Sequence, residues 1–552
     1  MIETIRTFTA LSEEFVELFM KHHPVAATEA GIHDYDALLP DDSPDGLRAR
    51  AAWLRDLEGR LLASVPWDEL PLDARVDFAL LRSRISTLRA DLEEIRVPHR
   101  TPTVFLMRAF RGVHLLLARP FAPLDERKES AVARLMAIPE YFEGACANLT
   151  AVPPELLEAG LALAARGPGF VDDVVRRLLR QFPGESERLE HAGSRARTGF
   201  LRLHEHLEAL GRTGAGASGS FALTERWVNH RYEHEHLFSI TAAEVEVLAR
   251  EHVQEARQRL VEEARRTDAR RDWRELVDEG RRRLPEANWL RETYTAEIER
   301  ARRFVQERRL APLPDGERLE IQDTPTYASA LAPQACYVGP APFDAEAPGI
   351  FQLTSIDPRR DKDAQARQLE GHCLPMIPLV AVRETYPGLH ALHARAARAG
   401  TRLRRMARNE SMSGGWAAYA EELMAAQGFL DAEPYALVFA RLSELRRACL
   451  ALVDVAMHAG RLTVPQAVVM LAEDALLSHD AAVSAVRECC LAPTRASSAL
   501  VGCMAIGDLR DESARQLGAK FDLGGFHVAL AEGGMLPPAL VREELPSRLG
   551  VG

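Results

Sequence analysis

The sequence predicts a mostly α-helical protein that carries one small β-sheet. Two observations predict it. Ala, Leu, Arg and Glu recur at helical spacing through most of the 552 residues. Examples are Leu11, Phe15, Leu18 and Phe19, and Leu54, Leu57 and Leu61 within residues 48–62. Between about 319 and 356 the rhythm changes. Residues 319–322 alternate, 335–338 are β-prone, and 350–354 follow a Pro/Gly-rich bend, so about three short strands are expected. Such a sheet either supports the helices that follow or holds an extended substrate along its edge.

The long helical stretch at 244–308 pairs Glu with Arg, the pattern of solvated helix faces. Residues 211–220, rich in Gly, Ala and Ser, predict a loop between an N-terminal helical lobe, 1–210, and a second lobe, 221–552. No repeat period is visible.

Composition excludes some function classes. Hydrophobic residues make up 47 % and charged residues 27 %, a globular balance. The formal charge of −12, from 69 basic and 81 acidic residues, argues against nucleic-acid binding. No apolar run suits a membrane span, since the longest, 491–504, is broken by Pro493 and Arg495. The first six residues lack a basic segment leading into an apolar one, so no signal peptide is expected. Seven scattered cysteines without a C-x-x-C pair predict a cytoplasmic chain with reduced, buried thiols.

The richest segment is Arg383-Glu384-Thr385-Tyr386-Pro387-Gly388-Leu389-His390. Proline removes an amide donor and clashes one turn back, so a kinked helix is expected there. Seven residues, nearly two helical turns, separate Arg383 from His390. A zinc hydrolase needs neutral imidazoles or carboxylates around its metal and a carboxylate to take the water's proton. Glu384 supplies the second, whereas Arg383 stays protonated and cannot supply the first.

With Gly415-Trp416-Ala417-Ala418-Tyr419-Ala420-Glu421-Glu422-Leu423, this segment resembles the bacterial domain-of-unknown-function 885 family, a helical group related to zinc metallopeptidases. Residues 24–33, Ala335-Cys336-Tyr337, 348–351 and 517–537 fit its remaining blocks in order. The resemblance implies a large two-lobed, metallopeptidase-like body with a deep cleft, the sheet on the cleft wall, and motif helices at about 375–427. It also shows departures. The family's first motif His falls on Arg383, the first of its His pair on Leu389, the Glu before Gly-Trp on Gly414, and a Gln and a Tyr near the C-terminus on Arg495 and Ala499. Ligand positions and a candidate oxyanion donor are thus replaced together, which speaks against an ordinary zinc peptidase.

The expected site has Glu384 and His390 as proton-transfer groups. Arg383 and Arg495 bind an anionic group, and Tyr386, Trp416, Tyr419 and Tyr337 line the pocket. No metal and no cofactor are expected. The expected activity is that of a metal-independent enzyme on a small amino-acid-like or peptide-like substrate, by cyclisation, elimination or hydrolysis, as in specialised-metabolite biosynthesis. Its alternatives are a non-catalytic binding protein and a zinc peptidase or amidase with ligands rebuilt from His390, His393, Glu384, Glu410 or His372. Residues 411–415 read as a cap and lead-in loop, which places Glu410 outside the next helix. His230 and His234, at i,i+4, read as a polar helix surface. Cys373, Cys489 and Cys490 read as packing residues.

Overall fold

The computed structural model describes residues 2–212, 218–311, 313–329, 334–344, 346–359 and 361–550. It is mostly helical, with one three-stranded sheet. The chain divides into two compact units. Unit 1 is Met1–Leu223 with Ala341–Ala347, and unit 2 is Thr224–Pro340 with Pro348–Gly552. The division falls just beyond the Gly-rich insert. Helix Ser186–Arg212 runs into that insert, and residues 213–217 lie outside those described.

Unit 1 is an all-helical body around an aromatic core. Phe110, Phe142 and Phe200 pack with ring centroids 5.0 Å apart for both Phe110–Phe200 and Phe142–Phe200. Its helices Pro44–Ser64, Pro102–Ala118 and Leu124–Asn148 meet at the buried Asp42. Asp42 accepts from Arg50 Nη2 at 2.6 Å, from Arg108, and from Tyr141 Oη at 3.0 Å, while its carbonyl accepts from Asn148 at 2.7 Å. The guanidiniums outweigh the cost of burial and hold the carboxyl at about 2.

Unit 2 contains the sheet: β1 (Leu319–Asp323), β2 (Ala335–Val338) and β3 (Gly349–Leu353). The fully buried β3 is central, parallel to β1 and antiparallel to β2, with Tyr337 opposite Phe351. The rest of unit 2 is built around helix Glu410–Ala426, called the central helix below. It packs most closely against helix Arg495–Leu517.

The reason is a seam of small residues. A Cβ added to Gly415 would lie 2.6 Å from the carbonyl carbon of Gly502, and one added to Gly502 would lie 1.8 Å from Ser411 O. Only glycine permits this approach of two backbones. The same seam passes through Gly414 and Ala499, where an added Cβ on Gly414 would lie 2.7 Å from the Ala499 methyl.

The lead-in loop expected at 411–415 is instead helix. The Asn409 side chain accepts from Ser411 N at 3.1 Å and caps the central helix one turn earlier than the glycines suggest. Glycine is tolerated inside this helix because packing against Arg495–Leu517 outweighs its low propensity.

A candidate ligand site in unit 2

The motif segment is two helices rather than one kinked helix. Ile377–Glu384 ends, a turn through a cis Tyr386–Pro387 bond follows, and Leu389–Ala396 begins. A Cβ on Gly388 would lie 2.1 Å from Arg383 O, so the turn closes tightly on the helix before it. Trp416 reaches in from the central helix, and its Nε1 donates to the carbonyls of Pro387 at 2.8 Å and Gly388 at 3.1 Å. Trp416 is therefore a clamp on the turn, not a pocket wall.

The break sends Arg383 and His390 to different neighbours. Arg383 Nε donates to Glu384 Oε1 at 2.9 Å, and Nη1 donates to Glu421 Oε1 at 3.3 Å. Burial alone would lower its pKa, but the two carboxylates outweigh burial and raise it. Glu421, 2 % exposed, also accepts from Ser443 Oγ at 3.0 Å and from Arg447. A fixed cation thus stands at position 383, tied through Glu421 to a second cation.

His390 is 1 % exposed and engaged at both ring nitrogens. Nε2 lies 2.7 Å from Glu317 Oε2 and Nδ1 lies 3.0 Å from Tyr337 Oη. Glu317 also accepts from Tyr386 Oη at 3.0 Å and pairs with Arg302 at 2.7 Å. Burial works against the Glu317 charge, yet His390, Tyr386 and Arg302 together pull its pKa down. With Nε2–H donating to the carboxylate, Nδ1 is left facing the Tyr337 hydroxyl. Tyr337, Tyr386 and His390 thus form one hub around Glu317, and the hub fastens β2 to helix Leu389–Ala396. Glu317 carries no sequence motif. It sits in a Pro/Gly-containing turn 73 residues from its histidine.

On another face of the central helix lies a cavity of about 960 Å³, bounded also by helices Ala242–Thr267, Ala436–His458, His479–Leu491 and Arg495–Leu517. Tyr419, Glu422, Arg447, Arg495, Ala499 and Cys503 are on its wall. Of the residues expected to form the site, this cavity contains Arg495 and Tyr419 but not Arg383, Glu384, His390, Tyr386, Trp416 or Tyr337.

Arg495 opens its helix. The buried Asp454 carboxylate caps that end, accepting from Thr494 N at 3.0 Å and Ser497 N at 2.9 Å. Its Nη1 donates to Glu488 at 2.8 Å, and Glu410 is within 3.4 Å of its Nε. Arg495 also feels Glu384, one of the charges that raise its pKa against burial. Tyr419 donates to His527 Nε2 at 2.9 Å, because His527 Nδ1–H points at Leu310 O, 2.6 Å away. Burial first, then nearby Arg510, holds His527 neutral down to about 4.

The positions at which the resemblance implies metal ligands do not fit zinc here. Arg383 and Leu389 offer no donor, and Gly414 faces the Ala499 methyl and Glu410 Oε1, which lies 2.9 Å from where its Cβ would be. Among the described residues, no three His, Cys, Asp or Glu side chains converge on a point that would hold a metal. His230 and His234 lie with ring centroids 4.4 Å apart and their planes tilted by 55°, and no third donor among the described residues joins them in a metal-binding group.

The sequence profile of the bacterial proteins of unknown function called DUF885 matches residues 24–545. The chain belongs to this family. Two solved structures share the family-length fold. One is a protein from Shewanella oneidensis, described as a lipoprotein of unknown function, with a TM-score of 0.77 and 20 % identity over 97 % of this chain and 98 % of that one. The other, from Colwellia psychrerythraea and also described as a lipoprotein, has a TM-score of 0.84 and 15 % identity over the whole of both chains. At these identities the likeness is one of fold. No curated protein matches the sequence.

Proposed function

We propose that unit 2 is a metal-independent enzyme acting on a small amino-acid-like or peptide-like molecule held in the cavity beside the central helix. One observation carries this reading. The charged group at position 383 is connected to the cavity through the contacts Arg383–Glu421–Arg447. Arg447 is on the cavity wall, so charge at the motif and charge in the cavity are felt together.

A fixed cation does part of what a metal does. It attracts an anionic group and stabilises developing negative charge, without activating a water. Glu384, at a helix end and 8 % exposed, is the nearest carboxylate to that cation. It lies behind the cavity wall rather than on it, so it serves as the proton-transfer group only for a molecule that reaches past the wall to it. Cyclisation, elimination and hydrolysis all begin with such a proton transfer, and a small-molecule biosynthetic step is the setting this chemistry suits.

The experiment is turnover of dipeptides and N-acyl amino acids by the purified protein, followed by mass spectrometry, with and without a chelator. The reading expects turnover that survives the chelator and falls by about a hundredfold or more in Glu384→Gln. Turnover restored only by zinc would overturn it.

A second reading, a non-catalytic binding protein, is favoured by the closure of His390 between Glu317 and Tyr337. It expects no turnover in the same assay, but ligand binding that depends on Arg383.

The seven cysteines are all unpaired, which suits the reducing cytoplasm, whereas both structural neighbours are described as lipoproteins. Fractionation of cells expressing the native gene distinguishes the two locations.

A further inference from the structure

We propose that Glu422 anchors a protonated amine of the bound molecule, so that the cavity selects cationic or zwitterionic ligands with a small apolar body. This rests on the reading of the cavity as a ligand site.

Glu422 projects from the central helix into the cavity and keeps 44 % of its side chain accessible. Its contacts are weak. Arg447 Nη2 lies 3.5 Å away and the Cys503 thiol 3.8 Å away. Arg447 is held more tightly by Glu421, one residue back and behind the wall, and lies 3.1 Å from Ser443 Oγ. The other wall cations are also committed elsewhere. Arg259 and Arg441 pair with Glu444 at 2.5 and 3.2 Å, Arg495 with Glu488 at 2.8 Å and Arg510 with Asp511 at 2.7 Å.

The lining holds six carboxylates against five guanidiniums, and Glu421 draws further on Arg447. The local balance around Glu422 is therefore short of positive charge. Burial first, then Glu444 and Glu421, push its pKa upward against the pull of Arg447. A ligand ammonium would reverse that push and gain a charge-assisted hydrogen bond. Ala418 and Ala426, one turn to either side of Glu422 on the central helix, put apolar surface on the same cavity wall, which suits a short aliphatic group beside the amine.

The test titrates L-leucinamide, L-leucine and N-acetyl-L-leucine into the full chain at pH 7.5 by calorimetry. Leucinamide and leucine should bind, and N-acetyl-leucine should bind at least about tenfold more weakly. Glu422→Gln should weaken leucinamide by about tenfold or more, and Glu422→Asp by less. The amine anchor is overturned if Glu422→Gln binds leucinamide as tightly as the native chain. It also falls if N-acetyl-leucine binds as well as leucinamide, or if neither amine binds. Ala496→Trp, which fills the cavity, separates the two levels. If N-acetyl-leucine alone binds and Ala496→Trp abolishes it, the cavity reading stands and the anchor falls. If Ala496→Trp leaves the binding of every probe unchanged, both fall.

Discussion

Asp42 in unit 1 and Glu421 in unit 2 are each a buried carboxylate clamped by two arginines, yet they serve different ends. Around Asp42 the network closes on itself. Arg50, Arg108 and Tyr141 converge on the carboxylate, and Asn148 holds the backbone of the same residue. Around Glu421 the network opens outward. Arg383 continues to Glu384, and Arg447 continues to Glu422 on the cavity wall. A closed cluster fixes three helices in place. An open one transmits charge between two places where chemistry can happen.

The largest expected effect breaks the closed cluster. Asp42→Ala leaves two guanidiniums without their carboxylate and should cost about 3–5 kcal/mol in urea unfolding. Leucinamide binding by the folded protein should be unchanged. A loss of binding equal to that of Glu422→Gln would mean the two clusters are not separate in role.

Acid should next separate the two regions. The Asp42 carboxyl is lowered, so its contribution is complete above the ordinary carboxylate range and is lost only as pH falls toward about 2. His527 behind the cavity wall is also lowered, from 6.5 to about 4. The unfolded chain therefore binds a proton there first, and stability falls as pH drops from about 6.5 to 4. That shift of about two and a half units corresponds to about 3.4 kcal/mol at most. Comparing the native chain with His527→Asn across this window should reveal that slope. An identical pH profile in the variant would contradict the buried neutral ring.

The smallest effect on stability, and the sharpest on function, is expected of Glu421→Gln. Its arginines keep Glu384 and Glu422 as partners, so the cost should be about 1–2 kcal/mol by thermal unfolding. Arg447 is then freed to pair more tightly with Glu422, and leucinamide affinity should fall. Unchanged affinity would show that Arg447 does not link the two sites.

Much of this architecture was legible in the residues. The three strands were readable because alternation and β-prone runs contrast with the helical rhythm on both sides. Membership of the family was readable because its blocks fall in order along the chain, from residue 24 to residue 537. What was hidden depends on contacts distant in sequence. Glu317 meets His390 across 73 residues. Residues 411–415 read as a loop because glycine signals one locally, while the seam that makes them helical is supplied by Gly502 and Ser411 in three dimensions. Glu422 carries no local signal of a ligand contact, because a Glu–Glu pair on a helix usually marks a solvated face. The surrounding run of Ala417, Ala418, Ala420 and Leu423 was the available signal that neither face of this helix is freely solvated.

The central claim is that an arginine cation, not a metal, holds the old ligand position. It is tested most directly by metal analysis of protein purified without chelator and then dialysed against zinc. The account predicts zinc well below one equivalent per chain and a thermal unfolding midpoint that added chelator does not move. One tightly held zinc per chain, lost to chelator together with a drop in that midpoint, would contradict it.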